Sequence, residues 1–290
     1  MRAPRTSHHR AGAALLIVLA ALVLTTSVLS TLVSTAHQSH AASNDAIDAA
    51  LSSDLLRQAD AMSVEWLTNS SASVVLPPES PSPRVHVEGF ELVLADTPVR
   101  LTLTAFDQHG LVSLAGAPSA VRSTLPADIQ GVLSSMAIGA LPEPFGLDQV
   151  PNLVRTDAQR LTYPNPASQS SSGESLAIGE LIATHSGTSR ATINPNTAPI
   201  PLVAAALREA SLGGLESIIE ARSNGRPVPM GSLVVVGDHD ERRSIDFVSS
   251  SPCWAIRTDL VIGSHQQSWW TIWEGRGSRW TLAQRLRVSG

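Results

Sequence analysis

The chain contains no lysine and one cysteine, and only 4% of its 290 residues are aromatic. All 20 basic side chains are therefore arginine, and 25 acidic residues bring the net charge to −5, which gives no electrostatic footprint for nucleic acid. The single cysteine, Cys253, cannot form an intramolecular disulfide. It starts an apolar stretch without a basic neighbour, so we predict a buried, unreactive thiol rather than a nucleophile.

Sequence motifs for catalysis and for zinc binding are also missing. The sequence has no Gly-x-Ser-x-Gly, no His-x-x-x-His and no His-Glu-x-x-His, and no pair of carboxylates follows a clear strand end. The chain is therefore predicted not to be an enzyme. The alternative that stays open is a membrane-anchored exported enzyme or ligand-binding protein whose site forms only in the folded chain.

One acidic cluster has the composition of a cation site. Asp238, Asp240 and Glu241 lie in a short stretch that follows a glycine. Oxygen ligands crowded into one loop suit Ca²⁺, so these three residues are the candidate metal ligands and calcium the possible cofactor. A solvated acidic loop explains the same pattern.

The N-terminal region combines a basic leader, residues 1–12, with a run free of charged side chains from Ala13 to Ala36. The run spans roughly 36 Å as a helix, enough to cross a bilayer core of about 30 Å. Residues 13–36 are therefore predicted to be a single transmembrane helix, with the leader in the cytoplasm and the bulk of the chain across the inner membrane. Three interpretations remain open: a cleaved secretory signal, an uncleaved anchor, and a pilin-type leader cut between Gly12 and Ala13.

Apolar residues at helical spacing continue beyond the run. Ile47, Leu51, Leu55, Met62 and Trp66 are four, four, seven and four residues apart, which predicts a periplasmic stem helix over residues 37–68. Residues 69–83 are rich in serine and proline and are predicted to be a linker.

Strand patterns flank a helical middle. Residues 84–117 alternate apolar and polar side chains as the first part of a sheet, with a bulge at Gly89 and a short returning strand at Leu111–Leu114. Residues 118–236 are predicted to be an inserted helical domain, and residues 237–290 the closing strands, starting at Ile245–Val248. The tryptophans of these closing strands are predicted to pack on the stem helix.

The clearest unit of the helical region runs from Ile193 to Arg222. Asn196 or Thr197 caps a helix over Leu202–Ala210, and a glycine turn leads to a second helix over Leu215–Arg222. Another short helix is predicted over Leu176–Ala183. The fold class predicted from all these patterns is α+β: a long N-terminal stem helix and an antiparallel sheet that carries an inserted helical domain like a helix-hairpin-helix or SAM domain.

Two stretches carry a resemblance to a known family. The leader that ends in Gly12 before an apolar run, and the residues Asn194, Asn196, Thr197 and Ala198 with their following helices, resemble the minor pseudopilin K family of type II secretion systems. The order of anchor helix, strands, helical insertion and closing strands is similar as well. The family's D-x-x-G-x-x-N-L-N element would fall at Asp107–Leu114, where Ser113 replaces the first asparagine.

This resemblance implies a function in assembly rather than catalysis. It implies a pilin-like sheet, processing and methylation by a prepilin peptidase, and other minor pseudopilins as partners at the tip of a pseudopilus that exports proteins. Most pseudopilins have glutamate at the fifth mature position, and K-type members lack it; cleavage after Gly12 places Ile17 there. An apolar residue is expected in a tip subunit, because no neighbour above it requires charge neutralisation.

Overall fold

The computed structural model describes residues 26–27, 29–31, 33–35, 50–94, 96–113, 117–125, 130, 182–183, 191–236 and 245–288. Contacts divide the chain into two units, Met1–Arg57 and Gln58–Gly290. In the first unit, the described residues between 26 and 35 are helical, as are residues 50–57. The predicted membrane segment 13–36 lies mostly outside the described residues, and none of the helices described is long and apolar enough to span a bilayer.

The second unit is organised around a five-stranded antiparallel sheet, which confirms the predicted mixed fold with an antiparallel sheet. Its strands are β1 (Arg84–Leu94), β2 (Thr97–Asp107), β7 (Cys253–Ile262), β8 (His265–Arg276) and β9 (Arg279–Val288). They lie in the order β1-β2-β7-β8-β9, so the chain leaves the sheet after β2 and returns at β7.

Gly89 produces the predicted bulge in β1. The register with β2 shifts between Val87 and Phe90, so the apolar residues on both sides of the glycine stay on the sheet face that β2 requires. A Cβ at Gly89 would collide with the carbonyl oxygen of Leu101 and lie 3.1 Å from the Cα of Thr102. The close approach of the two backbones therefore requires glycine at this position.

Residues 58–69, the helical residues at the start of the second unit, are called α1 and cross one face of the sheet. Asp60 pairs with Arg285 on β9, and Trp66 meets Trp254 on β7 edge to face, with ring centroids 5.1 Å apart. This contact agrees with the prediction that a tryptophan of the closing strands packs on the stem helix. The buried stripe of α1 differs from the predicted one: Ala59, Ser63 and Leu67 are buried, whereas Met62 and Trp66 are half-buried. Two small side chains let the helix lie close to the sheet.

The opposite face of the sheet has its own apolar cluster. Phe106 on β2 stacks on Trp270 of β8 with ring centroids 4.9 Å apart. Cys253, Ala255 and Ile272 complete the cluster and are all buried. Burial raises the pKa of the Cys253 thiol, so the prediction of an unreactive buried cysteine is confirmed.

A helical lobe forms between β2 and β7. Its helices are α2 (Ser119–Arg122), α3 (Ile200–Glu209) and α4 (Leu215–Ser223). Two small sheets accompany them: β3 (Ala191–Ile193) pairs with β6 (Ile245–Phe247), and β4 (Leu212–Gly213) pairs with β5 (Val234–Val235). One continuous apolar core that includes Val203, Ile218 and Ile245 holds the lobe together. The two predicted helices of the hairpin are therefore present.

Three strand and helix predictions are wrong. The described residues of the predicted returning strand Leu111–Leu114, which are 111–113, do not form a strand, because β7 occupies that edge of β2. Val112 makes only an isolated parallel bridge to Ile182. This bridge also contradicts the predicted helix at the end of Leu176–Ala183. Ile245–Phe247 does not begin the closing sheet but pairs in parallel with β3 in the lobe, where Ile245 is fully buried.

Candidate functional site

A buried polar cluster joins the end of β2 to the helical lobe. We call it the polar clasp, and its members are Asp107, His109, Asn194, Asn196, Thr197, Arg222 and Ser251. Each of them is at most 5% exposed. Buried polar groups are costly unless they are hydrogen-bonded, so their partners decide whether the cluster stabilises the fold or serves another purpose.

Asp107 lies at the centre of the clasp. It is the last residue of β2, and its Oδ1 accepts a hydrogen bond from the backbone N–H of His109 at 2.9 Å, which caps the 3₁₀ turn Gln108–Gly110. Its Oδ2 accepts from Asn194 Nδ2 at 2.7 Å and from Thr197 Oγ1 at 2.6 Å. One buried carboxylate thus connects the sheet to the start of the lobe's helical hairpin with charge-assisted hydrogen bonds.

The two asparagines of the Asn-x-Asn-Thr-Ala segment continue this network. Asn194 Oδ1 accepts from the backbone N–H of Asn196 at 3.1 Å, which closes a tight turn before α3. The side chain of Asn196 then connects two distant segments: it donates to the carbonyl oxygen of Ser249 at 2.8 Å and accepts from the N–H of Val228 at 2.7 Å. Both side chains therefore replace backbone pairing in a region where the chain is irregular.

Ala198 and Gly110 are the small residues that the clasp requires. Ala198 is fully buried in the core of the lobe. A Cβ at Gly110 would lie 2.5 Å from Cβ of Pro83 and 2.9 Å from Oγ1 of Thr197. The 3₁₀ turn after β2 can approach the lobe only because both positions lack a larger side chain.

Arg222, on α4, ties the proline-rich segment before β1 to the lobe. Its Nε donates to the carbonyl oxygen of Leu76 at 2.7 Å and one terminal nitrogen to that of Pro77 at 2.8 Å. The other terminal nitrogen donates to the carbonyl oxygens of Ala198 and, at 3.4 Å, Pro195. Burial lowers the pKa of Arg222 to about 10, and Glu79 opposes this by raising it, so the side chain stays charged at neutral pH.

The segment predicted to be a linker is therefore fixed in place where Arg222 holds it. Its backbone also donates from Leu76 N–H to the carbonyl oxygen of Asn196 at 2.9 Å. Apart from the 3₁₀ turn Ser71–Ser73, the segment is irregular, as its prolines require. Residues 69–83 thus form a strap across the lobe rather than a free connection.

Ser251, His109 and Asp107 lie together in the clasp, and these are the residue types of a hydrolytic triad. Their hydrogen bonds differ from those of a triad. Ser251 Oγ donates to the carbonyl oxygen of Cys253 at 2.8 Å, accepts from the N–H of Cys253 at 3.2 Å, and lies 3.1 Å from His109 Nδ1. The hydroxyl has one proton, so when it donates to the carbonyl of Cys253, His109 Nδ1 is the donor in the last contact.

In that arrangement His109 does not activate Ser251. A general base must accept the proton of the nucleophile, whereas here the imidazole donates to it. Asp107 bonds to the backbone N–H of His109 and not to its ring. His109 Nε2 is buried and has no hydrogen-bond partner among the described residues. Burial lowers the pKa of His109, and the nearby Asp107 carboxylate raises it; burial is the larger effect, so the ring is neutral.

The sequence-predicted site residues fall into two groups. Asn194, Asn196, Thr197 and Ala198 come together in the clasp and contact Asp107 of the D-x-x-G element, directly or through one another. The remaining predicted residues lie outside the described part of the chain: Gly12, Ala13, Ile17, Asp238, Asp240 and Glu241. The leader cleavage site and the calcium site therefore remain predictions, and among the described residues no group of three His, Cys, Asp or Glu side chains is arranged to hold a metal ion.

Sequence reasoning missed three members of the clasp. His109 is isolated in the sequence, Arg222 occupies an ordinary helical position, and Ser251 lies in a Val-Ser-Ser-Ser-Pro stretch like many other serines here. The partners that tie them to other segments are 24 to 146 residues away in the chain, so local spacing carries no signal for these contacts. The one usable signal is a polar residue of α4, Arg222, on the helix face that also carries Ile218.

Two open cavities lie near these elements. One of about 310 Å³ is lined by the strap and α4, including Pro77, Glu79 and Arg222. The other, of about 430 Å³, lies between α1 and β1, where Glu65, Trp66 and His86 line it.

No protein-family model matches the chain, and no curated protein matches it. Among solved structures, the fold is similar to a chain in the crystal structure of the GspK-GspI-GspJ complex from the type 2 secretion system of enterotoxigenic Escherichia coli. The two share 15% sequence identity with a TM-score of 0.38, over 83% of this chain and 99% of that one.

Proposed function

We propose that this protein is a minor pseudopilin of a type II secretion system, a membrane-anchored assembly subunit at the tip of the pseudopilus that works with other minor pseudopilins in protein export. The observation that carries the proposal is the pair of hydrogen bonds that Asp107 accepts from Asn194 and Thr197. The Asn-x-Asn-Thr-Ala segment is thus in direct contact with the stretch where the family's D-x-x-G element would fall, although Asp107 and Asn194 are 87 positions apart in the sequence.

The chemistry of the clasp supports an assembly subunit over an enzyme. Its hydrogen bonds are directed inward, to backbone groups and to one another, and Ser251 is fully bonded. What the clasp does is hold a helical lobe in a fixed position on a sheet. A rigid head that presents two surfaces suits a protein that docks on partners, and α1 packed across the sheet gives the pilin-like arrangement of helix on sheet.

The leader provides the direct test. In this proposal the chain is cut between Gly12 and Ala13, carries a methylated N-terminus, and stays in the inner membrane through residues 13–36 with its head in the periplasm. The mature N-terminus should be measured by mass spectrometry of membrane-extracted protein from cells with and without their prepilin peptidase. The expected result is a start at Ala13 that depends on the peptidase and is lost in a Gly12→Val variant.

Other outcomes identify the other classes. A mature N-terminus near Ala41 would make the protein a cleaved, soluble exported domain and would contradict the pseudopilin proposal. An intact leader in peptidase-positive cells would leave a plain membrane anchor. An Ala41→Val variant is the matched control, since it alters the small-residue signal-peptidase site Ser39-His40-Ala41 without touching Gly12.

A further inference from the structure

The β8–β9 hairpin forms one edge of the main sheet, and its charge differs from that of the chain. Residues 265–288 contain four arginines and one glutamate, a net charge of +3, within a chain of net charge −5. Four Arg side chains of one sign on adjacent strands create a local positive field in an otherwise acidic protein.

The outer side of β9 is open. In the strand order of the sheet, β9 has β8 on one side and no described strand on the other. Its residues are exposed to an unusual degree for a strand: Thr281, Leu282, Ala283, Arg285 and Arg287 are all exposed. An edge strand of this kind presents a row of backbone N–H and C=O groups that a further strand can pair with.

Three of the four arginines have no ion-pair partner among the described residues. Arg285 pairs with Asp60 of α1. Arg276, Arg279 and Arg287 are exposed and form no ion pair with the described residues, unlike Arg57, Arg100 and Arg257, which each have a carboxylate partner. Positive charge is therefore available at both ends of the open edge.

A bulge divides this edge into two parts. The register between β8 and β9 shifts between Ile272 and Trp273, so Ala283 is the extra residue. The stretch Gln284–Val288 is regularly paired and long enough for a short added strand. Arg285 and Arg287 lie two residues apart and hence on one face of the sheet, where an added strand would place its own alternate side chains.

We infer that the open edge of β9 is a docking surface for an extended, acidic segment of a partner protein, which adds to the sheet as an antiparallel or parallel sixth strand. Backbone hydrogen bonds provide the binding, and Asp or Glu side chains of the added segment face Arg279 and Arg287, the two arginines of β9 without an ion pair among the described residues. Charge excludes a second copy of this strand as the occupant, because two β9 edges would bring arginines against arginines. The inference rests on the sheet alone and not on the proposed secretion function.

The probe for this surface is a ten-residue peptide of alternating Glu and Val. Its binding to the full chain should be measured by fluorescence anisotropy, and the contacted backbone by hydrogen exchange. The expected result is slower exchange of the amides of Arg279–Val288 on binding. A Lys-Val peptide of equal length should bind at least tenfold more weakly, and so should a Glu-Val peptide with proline at alternate positions, since proline cannot donate to a ladder.

Variants of the protein distinguish binding at the β9 edge from a general electrostatic attraction between the peptide and the protein. The double variant Arg279→Glu, Arg287→Glu should weaken binding of the Glu-Val peptide about tenfold. The matched control is Arg208→Glu, Arg226→Glu, which makes the same change in net charge at two exposed arginines of the helical lobe. Equal weakening by the two double variants, or protection of amides elsewhere in the chain, would overturn the inference.

Discussion

At the scale of single residues, Asp107 is the position on which the clasp depends most. Its carboxylate is fully buried and accepts three hydrogen bonds, from His109, Asn194 and Thr197. In an Asp107→Asn variant the amide loses the charge and places an NH₂ group against at least one donor. We expect a loss of about 3 kcal/mol in the free energy of unfolding, measured by denaturant titration.

Asp246→Asn is the control for this variant, because Asp246 is an exposed strand residue in the lobe. It should change the free energy of unfolding by less than about 0.5 kcal/mol. Equal stability of the two variants would mean that the clasp hydrogen bonds do not hold the fold together.

His109 makes stability depend on pH. Burial lowers the pKa of His109 in the folded protein below its ordinary value of 6.5. Just below pH 6.5, His109 is therefore protonated in the unfolded chain but still neutral in the folded chain. The contribution of neutral His109 is thus complete above pH 6.5 and is lost as the pH falls below it, with a slope of at most about 1.4 kcal/mol per pH unit. Denaturant titrations between pH 7.5 and 5 should show this slope.

The variant His109→Gln removes the titrating group and should flatten the slope over the same pH range. His86→Gln, at an exposed strand residue, is the comparison and should keep the wild-type slope. If His109→Gln also keeps it, other groups cause the pH dependence.

Arg222 should be irreplaceable by lysine. Its guanidinium donates to four carbonyl oxygens in different directions, two of them in the strap, and an ammonium group has no planar fork to match them. Arg222→Lys should cost about 2–4 kcal/mol and release the strap, which limited proteolysis would detect as cleavage between residues 74 and 78. Arg208→Lys, at an exposed position of α3, should leave the strap protected.

At the scale of secondary-structure elements, the bulge in β1 depends on one glycine. A Cβ on Gly89 would clash with the backbone of β2, so Gly89→Ala must push two paired strands apart. The expected cost is about 2 kcal/mol in the free energy of unfolding. Gly231→Ala is a matched control, because no atom lies within 4 Å of its added Cβ and its φ is not positive. Similar costs for both variants would show that the close approach at Gly89 is relieved without strain.

The elements that could be predicted from the sequence are those with a local signal. Alternation of apolar residues locates β1, β2, β7 and β9, and the phase change at Gly89 locates the bulge. The errors arise where pairing partners are distant. Leu111–Leu114 has a strand-like pattern, but the edge it would need is taken by β7, which lies some 140 residues further along the chain. Ile245–Phe247 has the same pattern as a closing strand, yet its partner β3 is in the lobe.

The clasp could be predicted only in part, for the same reason. The spacing of Asn194, Asn196 and Thr197 marks a turn before a helix, but the prediction that Asn196 or Thr197 caps α3 is wrong, because the N-cap is Pro199. Nothing in the sequence shows that Asp107 is their partner, because the 86 residues between Asp107 and Asn194 carry no periodic relation to either. Ser251 and His109 are paired by packing alone.

At the scale of the whole second unit, the clasp should make the sheet and the helical lobe unfold as one. The six tryptophans all lie in α1 and in β7–β9, so their fluorescence reports the sheet, whereas hydrogen exchange of α3 and α4 reports the lobe. In the wild-type protein both should change at one denaturant concentration, as in a cooperative two-state transition.

In Asp107→Asn the sheet keeps its own apolar contacts with α1, but the lobe loses two of its hydrogen bonds to β2. The lobe should then open at a lower denaturant concentration than the sheet, as a separate cooperative unit. If the two transitions of Asp107→Asn coincide at a reduced midpoint, the apolar contacts of the lobe, and not the carboxylate, couple the unfolding of the lobe to that of the sheet.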